Sequence, residues 1–135
     1  MLLNDAFTYL QANSTRLSST NLTLGFMPET PATVTTLYES AGLFPLHFFS
    51  TSTGTRGYEQ PALQAISRST SYQTARNTAE DIFTVLDNVA GANLPTATGP
   101  LYVRIDAVQS PFQIDRDDND RFRIGVNFNV IKTTG

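Results

Sequence analysis

The side chains best able to do chemistry are few here, and their spacing suits no common reaction. His47 is the single histidine, and cysteine is absent. A nucleophilic triad of the Ser-His-Asp kind needs a base and a group that orients it. His47 can be a base, but no Gly-x-Ser-x-Gly elbow accompanies it. Tyr58 and Glu59 are the only further polar groups from which a pocket around it could be built. No Gly-x-x-x-x-Gly-Lys-Ser/Thr cradle and no Gly-x-Gly-x-x-Gly turn is present to hold phosphates. No pair of histidines or cysteines stands at zinc spacing. The residues therefore imply no catalytic group, no cofactor and no metal.

One cluster has part of a ligand pattern. Asp115, Asp117 and Asn119 alternate as at the opening of a calcium loop. The sixth position holds Asp120 where such a loop needs Gly, and the twelfth holds Val126 where it needs a bidentate Glu. The tract Asp115-Arg-Asp-Asp-Asn-Asp120 reads instead as an acidic turn between two strands, because Asp and Asn bond their own backbone in turns. Exposed turn charges add little to stability, so lysine at positions 117 and 118 is expected to leave folding intact.

The elements that must carry these residues follow from periodicity. Leu3, Ala6, Phe7 and Leu10 recur at helical spacing over residues 2–13. Residues 22–26 and 33–38 alternate as short strands. A third strand begins at Pro61, an allowed first position for proline. Ser69 or Ser71 then caps a helix over residues 72–89, with Tyr72, Ala75, Ala79, Ile82, Phe83, Leu86 and Val89 as its apolar stripe. Arg76 and Glu80 form an outward pair, and Gly91 is placed to end the helix in a left-handed conformation. Residues 92–99 read as a small-residue linker. Leu101, Val103, Ile105 and Ala107 face one way on the next strand, with Tyr102, Arg104 and Asp106 on the other side. Phe122, Ile124, Val126, Phe128 and Val130 repeat that pattern on the last strand. The fold expected is α+β: one antiparallel-rich, mixed sheet with two helices packed on one face.

Residues 40–60 read as a long loop, broken by Gly42, Pro45, Gly54 and Gly57. Within it Leu43-Phe-Pro-Leu-His-Phe-Phe49 is unusually apolar. Either these aromatics tuck into the core or they wait for a neighbouring subunit. On the second reading Leu43, Phe44, Phe48, Phe49 and Tyr58 are the candidate subunit interface.

At 135 residues the chain is one domain with enough length to bury a core. The absence of cysteine excludes disulfides and fits a reducing compartment. No apolar run approaches the roughly 20 residues that span a bilayer, so no membrane partner is expected, and the N-terminus does not read as a signal peptide. A net charge of −3 argues against tight nucleic-acid binding, which rests on a positive surface. With only 16% charged residues and many Ser and Thr, the surface can pack on protein at modest desolvation cost.

Four tracts then resemble a known group. Leu37-Tyr-Glu-Ser-Ala-Gly42 is followed by Pro45-Leu46-His47; Tyr58-Glu-Gln-Pro61 leads into Leu63-Gln64 and Ile66-Ser-Arg68; Tyr72, Ala75, Arg76, Ala79 and Ile82 share a helix. Ser110-Pro-Phe112 precedes Asp115, the polar turn, Arg121-Phe122 and Val126-Asn-Phe128. In this order, over residues 34–130, they are similar to phage minor capsid and tail-terminator proteins of long-tailed phages. Ala41 departs from the group, which usually has Gly there, and the segment after His47 is more aromatic.

The resemblance implies a structural virion protein without an active site. It would be a subunit closing into a ring, of six copies, at the head-proximal end of the tail. The ring's partners would be the tail tube protein and the head-tail connector or a head-completion protein, with genomic DNA passing through the lumen unbound. Asp115, Asp117, Asp118 and Asp120 would then be candidate lumen or rim residues acting on DNA by repulsion. A head-completion or tail-tube protein is the alternative within this class. A small ligand-binding α+β domain or hydrolase is the alternative outside it.

Overall fold

Two apolar helix stripes and several alternating strands can bury their faces together if both helices lie on one side of one sheet. The computed structural model has that arrangement; it describes residues 2–46, 58–87 and 89–133. In chain order the elements are α1 (Leu2–Asn13), β1 (Leu22–Leu24), β2 (Val34–Leu46), β3 (Tyr58–Ser69), α2 (Tyr72–Asp87), β4 (Ala90–Asn93), β5 (Leu101–Ala107), β6 (Phe112–Arg116) and β7 (Phe122–Thr133). The strands form one sheet in the order β1-β2-β3-β7-β5-β4, and β6 pairs with β7 beside that path. Among the described residues only β1 and β2 run parallel; the other pairs are antiparallel. The α+β class and the mixed sheet are as the sequence implies.

The inward row of β7 is the floor of the core. Ile124, Val126, Phe128 and Val130 are all buried, because successive side chains of a strand alternate between faces. The register sets Phe128 against Leu63 and Val126 against Ala65 on β3. It sets Ala65 in turn against Leu37 on β2, and Val130 against Ile105 on β5. Leu3, Ala6 and Leu10 of α1 and Ile82 and Leu86 of α2 close over that row in one apolar cluster. Small residues bring α2 close at its N-terminal end, where Ala75 and Ala79 pack on Ile124.

Local signals act much as their chemistry predicts. Thr74 N–H donates to Ser71 Oγ at 3.3 Å, so Ser71 is the cap of α2. The helix ends at Asp87, however, short of Val89. Asp87 instead spends its carboxylate on β5, accepting from the Ala107 N–H at 2.7 Å. Gly91 does have positive φ, 64°, but it lies within β4 rather than at the helix end. That short strand occupies the start of the segment read as a linker.

The strict alternation expected for β5 fails. Tyr102 is fully buried, on the same side as Ile105. A register shift between Tyr102 and Arg104 against β7 inserts an extra residue and turns Tyr102 inward. Its hydroxyl donates to Asp5 Oδ2 of α1 at 2.7 Å. Burial first, and the Asp5 carboxylate second, push the Tyr102 hydroxyl well above its ordinary range, so it remains a donor. Lys132 continues the inward row of β7 past Val130, with its ammonium on Glu59 at 3.1 Å and 5.8 Å from the Tyr102 ring centroid.

Ile82→Asp is expected to abolish folding, since a buried carboxylate with no partner costs several kcal/mol, comparable to the whole stability of a domain. Tyr102→Phe removes one hydrogen bond from a buried carboxylate and should cost about 1.5–3 kcal/mol. Urea denaturation checks both: no native baseline for the first, and a lower midpoint with unchanged slope for the second.

Candidate assembly surfaces

Two regions hold the residues singled out by the sequence: the far end of the β2–β3 ribbon and the β6–β7 hairpin. The ribbon replaces much of the expected long loop. β2 continues to Leu46 and β3 already begins at Tyr58. The period is lost in the sequence because the pairing is bulged. Ser40 pairs with Ala62, Leu43 with Gln60 and Leu46 with Tyr58, so twice three residues of β2 advance against two of β3. At this irregularity a Cβ on Gly42 would strike the Gln60 carbonyl oxygen and the Pro61 backbone. Glycine is required there by close backbone approach.

Leu43 projects from the ribbon with 66% of its surface exposed. It borders two shallow grooves, one toward Glu39 and Pro61 and one toward Asp106 and Asn129. Tyr58 is half-buried at the ribbon's far end, between Leu46 of β2 and Thr133 of β7. His47, Phe48 and Phe49 lie outside the described residues, as does the side chain of Phe44. Of the groups that might have joined His47 in a pocket, Glu59 is held by Lys132.

The acidic tract divides between a strand and a turn. Asp115 and Arg116 belong to β6, a strand the sequence reading missed because all five of its residues are exposed. Asp115 faces Arg123 across the ladder, with Nε at 2.6 Å and Nη2 at 2.5 Å from its two oxygens. Asp120 meets Arg116 at 3.3 Å and takes positive φ, 58°. Asp117 organises the turn: one carboxylate oxygen accepts from the N–H groups of Asn119 (2.9 Å) and Arg121 (3.0 Å). Its other oxygen accepts from Arg121 Nε at 2.7 Å. The backbone-bonded Asx turn is thus present. Aspartates 115, 117 and 120 are each committed to an arginine.

Sequence reasoning missed what lies beneath this turn. Arg68 and Arg121 are both buried. Arg121 also donates to the Glu29 carbonyl at 2.7 Å and to its carboxylate at 2.9 Å. Arg68 donates to the carbonyls of Pro28 (2.6 Å), Pro31 (2.8 Å), Glu29 (3.3 Å) and Ala32 (3.2 Å). The two guanidiniums hold the 28–32 connection and the β6–β7 turn together over the strands. Burial, then the neighbouring Arg121 charge, lowers the Arg68 pKa. An arginine at a strand position facing away from the helices was the available signal, but its acceptors are backbone carbonyls, which every sequence has.

This geometry corrects the expectation for positions 117 and 118. Asp118 is exposed, and Lys there should be neutral. Asp117→Lys would place an ammonium against the buried Arg121 and remove the turn's acceptors, so it should destabilise the fold. Arg121→Ala should cost about 1.5–3 kcal/mol, the range for charged hydrogen bonds.

The pH dependence follows from the same contacts. The Arg123 guanidinium holds the Asp115 carboxyl below its usual range. For Asp117, desolvation acts upward, but the Arg121 and Asn119 N–H groups and the Arg121 guanidinium outweigh it and lower the pKa. Depressed carboxyls stabilise the fold above their unfolded pKa, about 4. That contribution is lost as pH falls through the folded values. Melting temperature should therefore drop below about pH 4, and Asp117→Asn should flatten the drop.

Comparisons with known proteins bear on the whole surface. A chain from the virion of a native gene transfer agent particle shares the fold, with TM-score 0.66 over 98% of this chain and 95% of that chain, at 18% identity. A search of curated protein sequences returned no match. A family model described as bacteriophage tail terminator protein matches residues 9–134, which take in both candidate regions and every strand. With nearly its full length matched, the chain belongs to the bacteriophage tail terminator family.

Proposed function

We propose that this structural tail protein closes into a ring of six copies at the head-proximal end of the tail. There it caps the tail tube protein and meets the head-tail connector or a head-completion protein, while genomic DNA passes through its lumen. The family match over residues 9–134 carries this reading. The surface supports it in two ways. The outer strands of the sheet path, β1 and β4, are different segments at opposite ends of it. A contact joining one end to the other is heterologous, and heterologous contacts close into rings when the rotation allows. The ribbon presents an exposed Leu43 beside its bulges, an apolar feature suited to a neighbouring subunit.

On this reading Leu43, Phe44, Phe48, Phe49 and Tyr58 form the subunit or inter-ring contact. The β6–β7 turn with Asp115, Asp117, Asp118 and Asp120 lies at a rim or on the lumen. Because most of the turn's carboxylates are paired with arginines in the structure, its excess charge rests mainly on Asp118.

Purified protein should run as a hexamer by light scattering and show annuli by negative-stain microscopy. A monomer at all concentrations, or open-ended tubes, would overturn the ring. Leu43→Ser, and Phe48→Ser with Phe49→Ser, should weaken assembly at least tenfold while shifting the monomer's melting temperature by no more than a few degrees.

A further inference from the structure

The sheet face opposite the helices is lined with cations that the net charge conceals. Arg104 and Asp106 sit two apart on β5, and Arg123 lies on β7 opposite Asp115 of β6. All four are on this face: Asp106 pairs with Asn129, and Arg123 is a neighbour of the inward-facing Ile124 and so points away from the helices. Both arginines reach solvent, with side-chain exposures of 62% for Arg104 and 34% for Arg123. Each is engaged through two nitrogens by one carboxylate. Arg104 Nε is 3.0 Å from one Asp106 oxygen and Nη2 is 2.8 Å from the other. The Arg123–Asp115 pair has the same two-point form. Between them the face is amide-rich and uncharged, with Gln64 beside Asn127, and Ala62 beside Asn129.

A guanidinium fork matches a phosphate as well as it matches a carboxylate. Two exposed forks on one face are therefore a phosphate-binding surface unless something occupies them. Here the occupant is built in by strand geometry, once through the two-residue period and once through cross-strand pairing.

We propose that Asp106 and Asp115 are masks: they keep Arg104 and Arg123 from the phosphates of duplex nucleic acid, so that this face lets a duplex pass without capturing it. This rests on the reading above that DNA travels past the protein, and it replaces simple repulsion by the acidic turn with local cancellation of specific cations.

The test is binding of the full chain to a fluorescent duplex of random sequence, followed by anisotropy across a salt series. The parent should show no measurable binding at about 150 mM salt. Asp106→Asn with Asp115→Asn should bind at least tenfold more tightly than the parent. Its salt slope should steepen by about 0.9 for each arginine that reaches a phosphate. Adding Arg104→Gln and Arg123→Gln should remove the gain. A control with the same change in net charge, Glu39→Gln with Asp118→Asn, alters neither pair and should bind like the parent. Circular dichroism checks folding, and the two single Asn variants serve if the double one is unstable. The proposal is overturned if the unmasked variant binds no better than the control, or if the parent already binds tightly. Ring formation is read separately, by light scattering on the same samples. Loss of the ring with retained unmasking would sink the assembly reading alone.

Discussion

The pairing of β3 with β7 is the constraint on which the rest of this structure depends. Its register runs from Tyr58 opposite Thr133 to Ser69 opposite Phe122, the length of both strands. Side chains alternate along a strand, so a one-residue slip of β7 would turn Ile124, Val126 and Phe128 away from the helices and Arg123 toward them, and a slip of β3 would do the same to Leu63 and Arg68. Burying unpaired guanidiniums against α2 is prohibitive. The register is therefore held from both faces at once, by the apolar row on one side and by the arginines on the other.

Each face then has its own consequence. On the covered face, α2 lies over β3 and β7, and α1 is tied in through the Tyr102–Asp5 bond and the Ser14 hydroxyl on the Asp81 carboxylate. On the other face no helix is needed, because loops and ion pairs do the covering. Arg68 gathers the carbonyls of the 28–32 connection, Arg121 ties it to the β6–β7 turn, and Thr23 bonds Thr36 at 2.7 Å across β1 and β2. What remains exposed there includes the paired Arg104–Asp106 and Arg123–Asp115 charges and Ile114 of β6.

Regular pairing gives way most in the ribbon beyond Ser40, which has two register shifts where the β5–β7 and β6–β7 ladders have one each. Two bulges shift β2 against β3, and Gly42 makes room for the backbone of its partner. Bulges twist a strand and protect it from indiscriminate edge pairing. An exposed Leu43 on such a ribbon can be offered to a specific neighbour with less risk of open-ended strand addition.

Sequence alone determined whatever periodicity and composition determine. The extent of α1, the stripe of α2 from Ala75 to Leu86, and the inward row of β7 from Ile124 to Val130 were legible, because a buried face must repeat at 3.6 or 2.0 residues; the cap of α2 was narrowed to Ser69 or Ser71. The order of four family-like tracts was enough to indicate a tail terminator. Tertiary structure alone decided the features that break a period or pair distant residues. The bulge that turns Tyr102 onto Asp5, the exposed strand β6, and the continuation of β2 past Gly42 carry no repeating signal. Arg68 finds its acceptors on backbone 36 to 40 residues away. Arg121 finds Glu29 at 92. Whether an aspartate in 115–120 is a free charge or a partner depends on which strand lies beside it, and strand pairing is a contact made only when the chain has folded.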